Sequence, residues 1–94
     1  MNLSVFEKPL KILVKDERVN VWHLAMMFGI MQLASNDDLN SPIYISRRKV
    51  MEYSHINNFM TYHKCLKELQ VFGHITYFPS YHPGIRSKIY IKNI

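Results

Sequence analysis

From residue 20 onward the apolar positions fall into segments of different period. Asn20 can cap a helix over residues 21–34. In it Val21, Leu24, Ala25, Phe28, Met31 and Gln32 lie near one face. Trp22, Met26, Met27 and Ile30 leave little polar surface opposite, and a helix apolar on most sides is buried on most sides. Ser, Asn, Asp and Pro crowd residues 35–42, a loop signal. Ile43-Tyr44-Ile45 then reads as a short strand. Ser46 caps a short helix over residues 47–53, with Val50 and Met51 pointing inward. Ser54-His55-Ile56 breaks that pattern, and Asn57 or Asn58 starts a longer helix reaching residue 72. Its Phe59, Tyr62, Leu66 and Leu69 make one buried stripe, and Gly73 supplies a left-handed stop. Residues 74–81 and 88–91 read as antiparallel strands. His82-Pro83-Gly84-Ile85 between them suits a type II turn. Pro79 cannot donate to a ladder, so its strand is an edge there or bulged. Before residue 20, the run Leu10, Ile12, Leu13, Val14 is too short to show a period. Residues 1–19 are therefore expected to form an extended or irregular arm, ahead of one domain over residues 20–94.

Composition narrows the class. Ninety-four residues, 48% hydrophobic and 20% charged, make one folded domain. The most apolar stretch, residues 21–31, is interrupted by His23 and Gly29 and is too short to span a membrane. Phe6 is followed at once by Glu7, Lys8 and Pro9, unlike a signal peptide, and the single cysteine fits a reducing cytoplasm. Charge is unevenly placed. Residues 1–45 hold four Lys and Arg against five carboxylates, whereas residues 46–94 hold eight against Glu52 and Glu68. A basic half of this kind is what a polyanion-binding surface requires, although a merely solvated basic face has the same composition.

The order of elements after residue 20 is that of an α+β winged helix-turn-helix, with three helices, a short first strand and a C-terminal β-hairpin wing. The residues carry the same resemblance. Ser46-Arg47-Arg48-Lys49-Val50-Met51-Glu52-Tyr53 resembles the first helix of the motif, and residues 57–69 resemble its recognition helix. Leu66-Lys67-Glu68-Leu69-Gln70-Val71-Phe72-Gly73-His74-Ile75 is similar to the L-x-x-L-x-x-x-G-x-I ending of winged-helix regulators. Tyr62-His63-Lys64-Cys65-Leu66-Lys67-Glu68-Leu69, with Pro79-Ser80-Tyr81-His82-Pro83, looks most like small winged-helix proteins of Bacteroidetes mobile elements. The resemblance implies sequence-specific binding of double-stranded DNA, by a transcriptional regulator or an accessory factor of a mobile element. Winged helices also serve as protein-interaction modules, for instance in replication or recombination complexes, and that alternative stays open.

Placement on the helices points to the same chemistry. Opposite the buried stripe, Asn57, Met60, Thr61, Lys64 and Glu68 share a side, with Lys67 at its edge. Asn, Thr and Lys are residue types that read base edges in the major groove. Arg47, Arg48 and Lys49 oppose the dipole of their own helix, which suggests an outside anion. Ser80, Tyr81, His82, Arg86, Ser87 and Lys88 surround the hairpin tip, where a wing meets phosphate or the minor groove. The expected DNA contacts are Arg47, Arg48, Lys49, Asn57, Asn58, Thr61, Lys64, Lys67, Arg86 and Lys88. An RNA-binding domain is a weaker reading, because neither the ribonucleoprotein aromatic motifs nor a Gly-x-x-Gly loop is present.

Other chemistry finds little support. His63 and Cys65 diverge by about 200° on a helix, and His55, His74 and His82 lack ligand spacing, so no metal and no cofactor is expected. No carboxylate pair, phosphate loop or nucleophile elbow suggests catalysis, and no small-molecule substrate or membrane partner is expected. The methionines and aromatics read mostly as core, with Met26 and Met27 as an alternative partner surface. Surplus apolar residues on the helix over 21–34, with Leu3, Val5, Phe6, Ile12 and Leu13 of the arm, predict a homodimer.

Overall fold

The structure of the protein, a computed structural model, describes residues 3–35 and 38–92 and, at Leu3, the backbone alone. Asn36 and Asp37 of the expected loop, and Asn93 and Ile94 at the end of the expected domain, lie outside the described residues. A 3-10 turn, Leu3–Phe6, leads into α1 (Glu7–Lys15), then α2 (Val21–Gln32), β1 (Ile43–Ile45) and α3 (Arg47–Ser54). α4 (Phe59–Val71), β2 (Ile75–Phe78) and β3 (Ser87–Ile91) complete an α+β domain of four helices and one antiparallel sheet.

The first correction concerns residues 1–19, of which 3–15 are helical rather than extended or irregular. Pro9 sits in the first turn of α1, where a missing N–H costs no helix bond. Phe6, Pro9 and Leu13 share the buried side, and the Glu7–Lys11 ion pair (3.2 Å) lies outside. The period becomes visible only when Phe6 and Pro9 are counted with the short apolar run. Phe6 and Leu13 therefore enter this chain's own core, not a partner.

α2 starts where expected. Asn20 Oδ1 accepts from the Trp22 and His23 N–H groups at 2.9 and 3.3 Å, and His23 Nδ1 accepts from the Asn20 N–H at 2.9 Å. This is a capping box in which histidine replaces the usual Glu or Gln. The helix ends two residues earlier than expected, at Gln32. Its inward side also differs: His23, Met26, Met27, Ile30 and Met31 are buried, while Val21, Trp22, Leu24 and Phe28 are exposed. A helix that is apolar all round carries no orienting stripe, and Gly29 decides instead. A Cβ on Gly29 would lie 3.1 Å from both Ser54 N and Val50 O of α3, so the bare glycine lets the two backbones touch. The alternative of Met26 and Met27 as a partner surface is thereby excluded.

The remaining helices close as their caps dictate. Ser46 Oγ accepts from the Lys49 N–H (3.2 Å), and α3 ends at Ser54, one residue later than expected, with His55 as its left-handed cap (φ 60°). Gly73 (φ 89°) ends α4, with Gly73 N–H donating to Gln70 O and His74 N–H to Leu69 O, both at 3.0 Å. That double bond is a Schellman motif. The strands run β1-β3-β2, so β2 is an edge, and it stops at Phe78, short of Pro79 and of the expected residue 81. Gly84 (φ 82°) and the Ile85 N–H to His82 O bond (3.2 Å) make the expected turn. Ile43, Ile45, Ile75, Ile89 and Ile91 form the sheet's inner face and join the helices in one core. Of the twelve aromatics only Phe6 and Tyr62 are buried, so most aromatic rings are not core. Among the described residues, no helix is long and apolar enough to cross a membrane.

Candidate nucleic-acid interface

α3 presents Arg47 and Arg48 on its exposed first turn, with Lys49 half-buried and no acidic residue there. The Arg47 guanidinium lies 4.6 Å from the centre of the Phe59 ring. Phe59 is thus 58% exposed rather than part of the buried stripe, and it ties the start of α4 to the start of α3. Cys65 takes its place beside Tyr62, Leu66 and Leu69. Burial pushes the Tyr62 hydroxyl up to about 12. It also raises the Cys65 thiol, helped by the nearby Glu68. A cleft between α3 and α4 is lined by Arg47, Arg48, Met51, Glu52, Asn57 and Phe59, among others.

α4 carries Met60, His63, Lys64 and Lys67 exposed on its outer side, with Thr61 half-buried. Two expected members of this side, Asn57 and Glu68, and the expected contact Asn58 are placed differently. Asn57 precedes the helix and lines the cleft instead. Asn58 is the cap, its Oδ1 accepting from the Thr61 N–H at 3.1 Å. That oxygen cannot read adenine bidentately while it holds the helix. Glu68 turns inward and accepts from His23 Nε2 at 3.0 Å.

At the hairpin, Tyr81, His82 and Arg86 are exposed, Tyr81 by 90%. Ser87 and Lys88 belong to β3 rather than to the tip. Ser87 Oγ accepts from the Ser80 N–H (3.0 Å), and the Lys88 ammonium lies 5.7 and 5.8 Å from the Phe78 and Tyr90 ring centres.

Electrostatics separates the two halves of the chain. Among the described residues, the four ion pairs are Glu7–Lys11, Asp16–Arg18, Asp16–His74 and Glu68–His23. None involves Arg47, Arg48, Lys49, Lys64, Lys67, Arg86, Lys88 or Lys92. The eight cations of the second half have no carboxylate partner among the described residues.

One cluster escaped sequence reasoning. His23 Nε2, Cys65 Sγ and a Glu68 carboxylate oxygen lie within 4.8 Å of one another, on α2 and α4. Helical spacing tested only neighbours such as His63 and Cys65, and no sequence signal joins residues this far apart. Both ring nitrogens of His23 are engaged, however. Ligation through Nε2 would put the ring proton on Nδ1, facing the Asn20 N–H at 2.9 Å, donor against donor. The cluster is organised as a helix-capping hydrogen-bond chain.

Comparison of the chain with protein-family models, with curated proteins and with solved structures found no match.

Proposed function

We propose that residues 20–94 are a winged helix-turn-helix domain that binds double-stranded DNA, in a transcriptional regulator or a mobile-element accessory factor. The observation that carries this reading is the set of eight cations without carboxylate partners on α3, α4 and the hairpin. The order α2, β1, α3, α4, hairpin is compatible with that fold. In this reading α4 enters the major groove, with Thr61 and Lys64 toward base edges and Lys67 toward the backbone. Arg47 and Arg48 meet phosphate at the cleft, where Asn57 adds an amide, and Lys49 meets phosphate beside it. Arg86 projects from the wing toward phosphate or the minor groove. The test is a gel shift with random duplex, followed by sequence selection. Binding by the parent chain, with broad loss in Arg47→Ala and altered sequence preference in Lys64→Ala, supports the reading. No binding by the parent chain rejects it.

A dimer belongs to this proposal, with α2 as its contact. Val21, Leu24, Phe28 and Gln32 follow each other at helical spacing on the exposed side, and α2 bears no Lys, Arg, Asp or Glu. An uncharged apolar stripe suits a second copy of itself across a two-fold axis. Light scattering of Phe28→Glu should then show a monomer where the parent chain is a dimer.

A further inference from the structure

The outer face of the sheet is built unlike an ordinary solvated one. Alternation places the isoleucines inward, leaving Tyr44 on β1, Lys88 and Tyr90 on β3, and Thr76 and Phe78 on β2 outward. The register aligns Tyr44, Lys88 and Phe78 in one row across all three strands, with Tyr90 and Thr76 in the next. Tyr44 is 50% and Phe78 47% exposed. Phe78 and Tyr90 meet edge to face at 5.8 Å, and the Lys88 ammonium lies beside both rings. Lys92 continues the outward parity of β3, its N–H donating to His74 O (2.9 Å). The central strand thus alternates cation, aromatic, cation between two aromatic edges. Residues 69–94 contain no Asp or Glu.

We infer that this face binds single-stranded nucleic acid by stacking unpaired bases on Tyr44 and Phe78, with Lys88 and Lys92 along the backbone. Cross-strand aromatic pairing alone would explain a stable sheet. It does not explain why the rings are half in water, nor why only cations lie between them. A ring face beside an unpaired ammonium, with no acid nearby, matches a base joined to a phosphate. A duplex cannot use the surface in this way, because its bases are already stacked on one another. The inference therefore does not rest on the duplex-binding proposal for α4.

The full chain is titrated against fluorescently labelled single-stranded oligothymidine of about 12 nucleotides, within the site sizes such surfaces take, and against random duplex. Tyr44→Leu/Phe78→Leu keeps apolar bulk on the sheet and removes the stacking rings. It should weaken single-strand binding by about tenfold or more while leaving duplex binding within about twofold. Arg47→Ala should do the reverse if α3 holds duplex phosphate, and its effect bears only on that proposal. If the double variant does not fold, Phe78→Trp in a Trp22→Phe background replaces it. Quenching of that indole by oligothymidine supports the stacking face, and an unquenched signal overturns it. The inference also fails if the parent chain does not bind oligothymidine, if the leucine variant binds as tightly, or if it loses single strand and duplex equally.

Discussion

The charged groups of residues 3–35 and those of residues 46–92 do different work. In the first stretch Asp16 and Arg18 hold the fold, whereas Lys8 and Lys15 make no ion pair among the described residues. Asp16 accepts from the Arg18 Nε and Nη2 at 2.9 and 2.8 Å and faces His74 Nε2 at 2.7 Å. Arg18 also lies over the Phe72 ring (4.5 Å), so the α1–α2 connection is fastened to the end of α4. In the second stretch the Lys and Arg side chains make no ion pair among the described residues, while Glu68 is turned to His23 and Glu52 lines the α3–α4 cleft. Net charge alone does not distinguish a structural ion from an available one; the pairing does.

That contrast can be broken first at the N-terminal end. Leu13 is fully buried, so Leu13→Ala should cost about 2–5 kcal/mol in denaturant unfolding. At temperatures where the variant is folded, nucleic-acid affinity should be unchanged. A cost below about 0.5 kcal/mol, the range of surface substitutions, would mean that α1 is not part of the core. Gly29→Ala comes next, at about 1–3 kcal/mol, because its methyl meets backbone rather than a movable side chain. Thermal melting equal to the parent would refute the backbone contact between α2 and α3.

The charge comparison itself is sharpened by paired removals. Arg47→Ala should reduce the salt slope of duplex binding by about one unit, and Lys15→Ala should leave it unchanged. Equal effects would erase the distinction between the halves. The smallest effect is the acid one. Hydrogen bonds from Arg18 hold the Asp16 carboxyl well below the usual carboxylate range. Its contribution is therefore complete above the unfolded value, near 3.8, and lost as pH falls toward the depressed folded value. Melting temperatures of Asp16→Asn and the parent should differ at neutral pH and converge in strong acid. A constant difference would contradict the assignment.

The caps at Asn20 and Ser46, the Gly73 stop and the Pro83-Gly84 turn were legible because each is a local rule satisfied within a few residues. The orientation of α2 was not, since its apolar surface runs all round and the deciding contact is made by Gly29 with a distant helix. Helix α1 was hidden because part of its apolar side is a proline and another part precedes the helix. For the candidate interface, residue type and rough position were readable at Arg47, Lys64 and Arg86. The commitments of Asn58 to a cap and of Glu68 to His23 were not, because both depend on what those side chains already hold. The aromatic row of the sheet needed the strand register, which no single strand's sequence contains.

The central claim is that the cations of residues 46–92 are available to a polyanion. Duplex affinity of the parent chain across a salt series tests it most directly, since each phosphate neutralised contributes about −0.9 to the slope of log K against log salt. Engagement of about half of the eight cations predicts a linear slope of about −3.6. A slope near zero, or no binding at about 50 mM salt, would contradict it.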